Sequence, residues 1–506
     1  MIGKSLPNVQ IAHLKVGITT ILLGIGLGVL VSHYGVLAFG AVMLLGLLTL
    51  MFVRPRAVTL VILFVLYANL AVVAKSHYGV PQPIAASFFL LLGLPLLNYL
   101  FVHRQKIVVN RVFLLMVVYL AVLLVSAAAS EDVGRSVGRI VAYVTEGLVL
   151  YFLILNTVRS PSLLRQGIWA LILAGCLMGS VSLYQEVTSA YDNDFGGLAI
   201  AKASEIDTGE EDILGEDIKR RRLAGPIGSK NRYAQVMVVL LPLALLRVWA
   251  DRSWALRILA ALACIPILSG ALLTFSRGAG IAVIATLLAM ALLRTINPRH
   301  FFLLAFVGSL VVVAAVPDYA YRISTVVDVA ELVSGNAAEA GGSVRGRATV
   351  NLAAFHIFLD HPILGVGPGQ TNRYTAEYGN EVGYRRLETT RRAHNMYLEE
   401  LADSGLLGFT MFISIVGLTM YQLMQLHRRF AASRPDVAYT AAGLLFALIA
   451  YLITGMFLHL SYVRYYWLLL ALAGAAVHIF DSQTETQAHL NATHVQGSRA
   501  LNQGAL

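Results

Sequence analysis

Apolar runs of about 17 to 25 residues, the length a helix needs to cross the ~30 Å hydrocarbon core of a bilayer, recur along nearly the whole chain. They begin near Val16, Val36, Ala57, Ile84, Val112, Val137, Ile168, Tyr233, Ala255, Ala279, Phe301, Leu401, Val437 and Tyr462. In hydrocarbon every backbone N–H and C=O needs an internal partner, and a helix supplies it within one segment. The expected fold class is therefore an all-α polytopic membrane protein with about 14 (12–14) transmembrane helices. Composition agrees: 58% of the 506 residues are hydrophobic and only 13% are charged, far from the balance of soluble domains.

The formal charge of +10 does not point to nucleic acid, because the basic residues lie mostly in short loops between apolar runs and no nucleic-acid motif is present. Those loops set orientation instead. Alternate short loops on one side hold Lys4, Lys15, Arg54, Arg56, Arg104, Lys106, Arg111, Arg159, Arg165, Arg247, Arg252, Arg257, Arg294, Arg299, Arg428, Arg429 and Arg434, against Lys75, Arg135, Arg277 and Arg464 on the other. A bias of 17 to 4 puts the first set, and both termini, in the cytoplasm. The N-terminal run reads as a signal anchor. Two long hydrophilic segments, 185–232 and 318–399, then fall on the outer face. The organisation expected is 1–184 N-terminal helices, 185–232 first outer loop, 233–317 central helices, 318–399 second outer loop, 400–480 C-terminal helices and 481–506 a disordered cytoplasmic tail.

Basic residues on the outer side defy the bias and invite a functional reading. Arg277 lies in LLTFSRGAG, Arg135 and Arg139 in EDVGRSVGR, and Arg222, Lys230 and Arg232 in RRRLAGPIGSKNRYAQ. Snorkelling to headgroups or pairing with Glu131 or Asp132 is the plain alternative. The second loop carries Arg322, Arg345, Arg347, Arg373, Arg385, Arg386, Arg391 and Arg392 with no lysine, a choice suited to forked grips on phosphate. It ends in RRAHNMYLEELADSGLLG, leading into an apolar helix. If Asn395 caps that helix, its dipole disfavours imidazolium at His394 and keeps a neutral ring ready to take a proton. No acid within the spans is as well placed beside arginines. Residues 346–359 read as a helix, and HPILGVGPGQ as a Pro/Gly turn with no phosphate-loop pattern.

Other signals are weaker. Asp192 and Asp194 form a D-x-D string of the kind that holds a divalent ion in some glycosyltransferases, Glu146 is an acid inside a span, and His459 and Arg464 flank the last helix pair. Cys176 and Cys264 sit in apolar runs without partners, so neither a disulfide framework nor a metal site is indicated.

RRLAGPIGSKNRYAQ, TFSRGAG, RGRATVNLAAFHIFLDHPILGVGPGQ and HNMYLEELADSGLLG, in this order over about residues 222–424, resemble the O-antigen ligase and polymerase family. The resemblance implies a GT-C-like glycosyltransferase of the bacterial inner membrane. It would work without metal or cofactor on the periplasmic face, moving a glycan from undecaprenyl pyrophosphate to a hydroxyl: the lipid A core in ligases, another lipid-linked glycan in O-antigen or exopolysaccharide polymerases. It makes His394 the base, and Arg277, Arg222, Arg347, Arg391, Arg392 and Asn395 the grip on pyrophosphate and substrate. A flippase of lipid-linked glycans is the rival class. That class calls for polar residues at mid-depth and short loops on both faces, whereas charge here concentrates in two loops on one face.

Overall fold

The computed structural model describes residues 46, 48–211, 217–295, 299, 342–382, 384, 386–387, 391–460 and 464–483. In chain order the helices are α1 (Pro55–Tyr67), α2 (Leu70–Tyr78), α3 (Gln82–Val102), α4 (Arg111–Ala128), α5 (Val133–Thr157), α6 (Pro161–Val187), α7 (Lys230–Ala250), α8 (Trp254–Leu272), α9 (Arg277–Leu292), α10 (Gly342–Asp360), α11 (Thr371–Val382), α12 (Met396–Phe430), α13 (Pro435–Gly455) and α14 (Arg464–Gln483). Nine of these are long and apolar enough to span a membrane, α1 and α2 form a pair bent by 61°, and α9 is a shorter apolar helix. Among the described residues they match the expected runs from Ala57 to Ala279 and from Leu401 onward, so the chain is an all-α polytopic membrane protein. The expected spans near Val16, Val36 and Phe301 lie wholly or largely outside the described residues, as do Lys4, Lys15, Arg322, Arg385 and the tail beyond residue 483.

The described residues form two compact units, and Thr59–Leu92 with Lys106 onward is the one that holds every site residue. Its core is α7, α13 and α14. In their most apolar stretches 83%, 78% and 83% of residues are buried within the protein, against 33% for α4 and α8, which keep apolar faces for lipid. α7 packs on α13, α8, α6 and α9. Between α6 and α7 stands a two-stranded antiparallel ribbon, β1 (Ala201–Glu211) with β2 (Asp217–Leu223), which hydropathy gave no reason to expect. Its register sets Glu205 opposite Arg221 and Asp207 opposite Lys219.

α12 is 35 residues long, about 50 Å at ~1.5 Å per residue and too much for a ~30 Å core. It kinks at Gly405, whose φ of 62° and ψ of −166° leave the helix. The glycine turn expected in HPILGVGPGQ wraps that kink. Val366 N–H donates to Ala402 O at 2.9 Å, Gly367 N–H to Asp403 O at 2.9 Å and Leu406 N–H to Pro362 O at 2.8 Å. The Asp403 carboxylate accepts from Gly369 N–H at 2.8 Å, Thr371 N–H at 2.9 Å and the Thr371 hydroxyl at 2.6 Å, serving as the cap of α11 from another helix. Gly367 has φ 109°, and a Cβ there would stand 2.4 Å from Ser130 Cβ, so no side chain fits. The two segments that carry the family likeness most specifically are one interlocked structure.

Candidate active site

The TFSRGAG link owes its shape to Phe275, a buried ring at φ 50° packed with Leu223, Leu272 and Leu273. A bulky residue in left-handed geometry is strained and persists only where packing fixes it. The bend sends the chain straight into α9, so Arg277 stands at a helix N-terminus, where the backbone dipole adds to its charge. Arg222 is 6% exposed. It braces the link by donating from Nε to Thr274 O at 2.7 Å and from Nη2 to Phe275 O at 3.2 Å and Asn231 Oδ1 at 3.1 Å.

Arg222 and Arg277 line one cleft with Arg347 of α10, Asn231 and Gln235 of α7, and Thr454 of α13. Three of the arginines read from sequence thus converge from three separate segments. Gln235 donates to Thr454 Oγ1 at 2.8 Å and accepts from Arg232 Nη1 at 2.6 Å, which fixes the α7 wall.

His394 is set by its neighbours in sequence and by α10. Its backbone N–H donates to Asn351 Oδ1 at 3.1 Å. Asn395 caps α12 as expected, accepting from Tyr397 N–H at 2.9 Å and Leu398 N–H at 3.2 Å. Burial, then the charges of Arg347 and Arg391, push the His394 imidazole down to about 4, so the ring is neutral at pH 7. Arg347 belongs to both places: it walls the cleft and acts on His394. Arg391 is exposed, with its backbone locked to Thr375 Oγ1 on α11.

Arg392 has a different position from the other arginines. Its Nε and Nη2 donate to Glu399 Oε1 at 2.8 and 2.5 Å, and Glu399 is 4% exposed. Arg392, expected to grip substrate, is thus paired with an acid of α12. A carboxylate so buried is stable only with such a partner. Two other outer cations hold structure: Arg135 donates to Asn372 Oδ1 at 2.8 Å and Arg373 pairs with Glu131 at 3.5 Å. Asp192 pairs with Arg221 at 3.3 Å, while Asp194 pairs with His77 at 3.2 Å and accepts from Gly196 N–H at 3.1 Å, so the two D-x-D carboxylates face different partners. Glu146 lies half-buried in a π-helical turn of α5.

Sequence reading passed over Glu399, Glu400 and Asp403 and grouped Arg139 and Arg232 with the outer cations without assigning them a site. The signal was present in EELAD, three acids at the head of an apolar helix, where ionisable groups are costly and need a reason.

The bundle thus brings Arg222, Arg277 and Arg347 to one cleft, and the charge of Arg347 also bears on the neutral His394 ring. Residues 262–413 match the family model described as O-antigen ligase, a stretch that includes Arg277, Arg347, Arg391, Arg392, His394 and Asn395. Over this stretch the chain is similar to the O-antigen ligase family. No curated protein matches the chain.

Proposed function

We propose that the protein transfers a glycan from undecaprenyl pyrophosphate to a hydroxyl acceptor on the periplasmic face of the inner membrane. The observation that carries this is the convergence of Arg222, Arg277 and Arg347 on one cleft, with Arg347 also acting on neutral His394. In the reaction the acceptor oxygen bonds to the anomeric carbon as the bond from that carbon to the pyrophosphate oxygen breaks. The acceptor proton passes to His394, and the electron pair leaves with the lipid-linked pyrophosphate. Fixed positive charge in a site shielded from water stabilises that departure by several kcal/mol. Arg277 and Arg347 grip the pyrophosphate, Arg222 holds the link that presents Arg277, Arg391 contributes charge beside the base, and Arg392 with Asn395 fixes the start of α12.

The surroundings of His394 add a coupling. In the free protein burial, and then the charges of Arg347 and Arg391, make the ring a weak base. Pyrophosphate bound between those cations offsets their field, so His394 becomes more basic when the donor is present. The acceptor is the lipid A core in an O-antigen ligase and a second lipid-linked glycan in a polymerase. A flippase gives no role to a histidine fixed beside an arginine cleft.

Two tests follow. Reporters fused after Gly209 or Gly379 are expected to be periplasmic and one after Arg252 cytoplasmic, because Arg252 lies in the α7–α8 link and the cleft at the opposite end of α8. A cytoplasmic reporter at Gly379 removes the mechanism, since the arginines then face the wrong compartment. Transfer by purified protein is expected to survive EDTA, the site being argued from arginine and histidine. Loss on chelation with recovery in Mg2+ or Mn2+ would make Asp192 and Asp194 the centre instead.

A further inference from the structure

The link between α13 and α14 is held by more charge than a turn needs. Arg139 of α5 donates from Nη2 to Leu460 O at 2.7 Å, Arg232 of α7 from Nη2 to His459 O at 2.5 Å, and Leu460 N–H donates to Glu399 Oε2 of α12 at 3.0 Å. Three ionisable side chains from three helices thus fix two peptide groups, although such groups are costly at the edge of a bundle. Leu458 lines the arginine cleft, while Leu460 lines a second, small cavity. The fixed link is the divide between them, and His459 sits on it. The His459 ring stands 6.1 Å from that of His394, centroid to centroid, and its Nδ1 is buried with no hydrogen-bond partner.

The second cavity has the opposite character to the cleft. Its walls include Tyr119, Tyr143 and Trp467, with Glu400, Asp403 and Arg139. Tyr119 meets Tyr143 edge-on at 5.1 Å, and Tyr143 meets Trp467 at 5.3 Å. Glu400 is held by the Tyr119 hydroxyl and by Ser404 Oγ at 2.8 Å, so its carboxylate is fixed yet keeps lone pairs for another donor. With Glu400 and Asp403 beside its one arginine, this cavity lacks the cleft's three-arginine grip for a pyrophosphate. A sugar suits the cavity better, since its hydroxyls donate to carboxylates and its C–H faces lie on aromatic rings.

We propose that this second cavity seats the acceptor saccharide, and that His459 on the divide orients the attacking hydroxyl toward His394. The proposal rests on the transferase reading above and adds to it where the acceptor binds. His459 acts as a positioning residue. Burial, followed by Arg392 and Arg232, holds its imidazole below the ordinary value, and a neutral imidazole carries one donor and one acceptor, the complement of a hydroxyl.

The test uses two substitutions and two readouts on purified full-length protein. Ala142→Trp fills the cavity from the α5 wall, and His459→Phe keeps a ring without hydrogen bonding. Undecaprenyl pyrophosphate alone probes the cleft, and glycan transfer at varied acceptor concentration probes the cavity. Both variants are expected to bind undecaprenyl pyrophosphate within about twofold of the parent, yet to need about tenfold or more acceptor for half-maximal transfer, the scale of one lost pocket contact. His459→Asn, which keeps a donor and an acceptor, is expected to recover part of that loss. Unchanged acceptor half-saturation in both variants overturns the proposal, as does loss of undecaprenyl pyrophosphate binding in step with transfer. A parent protein that does not bind undecaprenyl pyrophosphate overturns the transferase reading itself, a separate result.

Discussion

Replacing His394 with alanine is expected to slow glycan transfer about a hundredfold or more, the usual effect of losing a positioned base. Donor binding is expected to change little, because the arginines that wall the cleft remain. His394→Gln separates the base from a residue that only positions substrate, since glutamine keeps a donor and an acceptor but cannot take the proton. Transfer by the Gln variant at near the parental rate, with both substrates saturating, would leave His394 as a positioning residue. The pH dependence gives a second check. The His394 conjugate acid lies at about 4 in the free protein, so the acid limb of kcat/KM for the donor is expected near there, well below ordinary histidine titration. Bound pyrophosphate offsets the charges of Arg347 and Arg391, so the acid limb of kcat is expected at higher pH. Coincident limbs would show that the donor does not lie against those arginines.

How much of this was legible in the sequence depends on the range of the interaction concerned. Hydrophobic runs, the α10 helix, the glycine turn and the Asn395 cap are local patterns, and local patterns gave them correctly. The convergence of Arg222, Arg277 and Arg347 is not local. Its legible part was the residue type, arginine without lysine, and its position against the loop-charge bias. What stayed hidden was pairing across long separations. Gln370 donates to Asp132 O at 2.5 Å, Ser126 Oγ to Leu364 O at 2.6 Å and Arg139 Nη2 to Leu460 O at 2.7 Å, each joining segments more than two hundred residues apart. Hydropathy averages cannot see Glu399 or Asp403, because one acid in a window of leucines barely changes the mean. Nor does alternation of polar residues reveal a ribbon such as β1–β2, whose two strands differ in charge rather than in hydropathy.

Arg277→Lys is expected to lower transfer about tenfold to a hundredfold while the protein still inserts and accumulates, on the scale of losing one donor to a developing oxyanion. The argument is geometric. Arg277 is the first residue of α9, delivered there by the strained Phe275 bend and by the Arg222 brace on Thr274 O and Phe275 O. Nothing in that arrangement needs a fork if the side chain merely snorkels, because lysine reaches the headgroup region equally well. A pyrophosphate is different, since a planar guanidinium offers two parallel donors to two of its oxygens and an ammonium offers a point charge. The substitution therefore keeps charge, helix dipole and backbone while removing only the paired donors. Half-saturation by the lipid-linked donor and kcat, measured separately, locate the loss. A fall mainly in kcat places the contact in the transition state, where charge on the departing pyrophosphate is greatest. Near-parental transfer by the lysine variant would return Arg277 to a topological role and leave Arg347 as the cleft's grip on the donor.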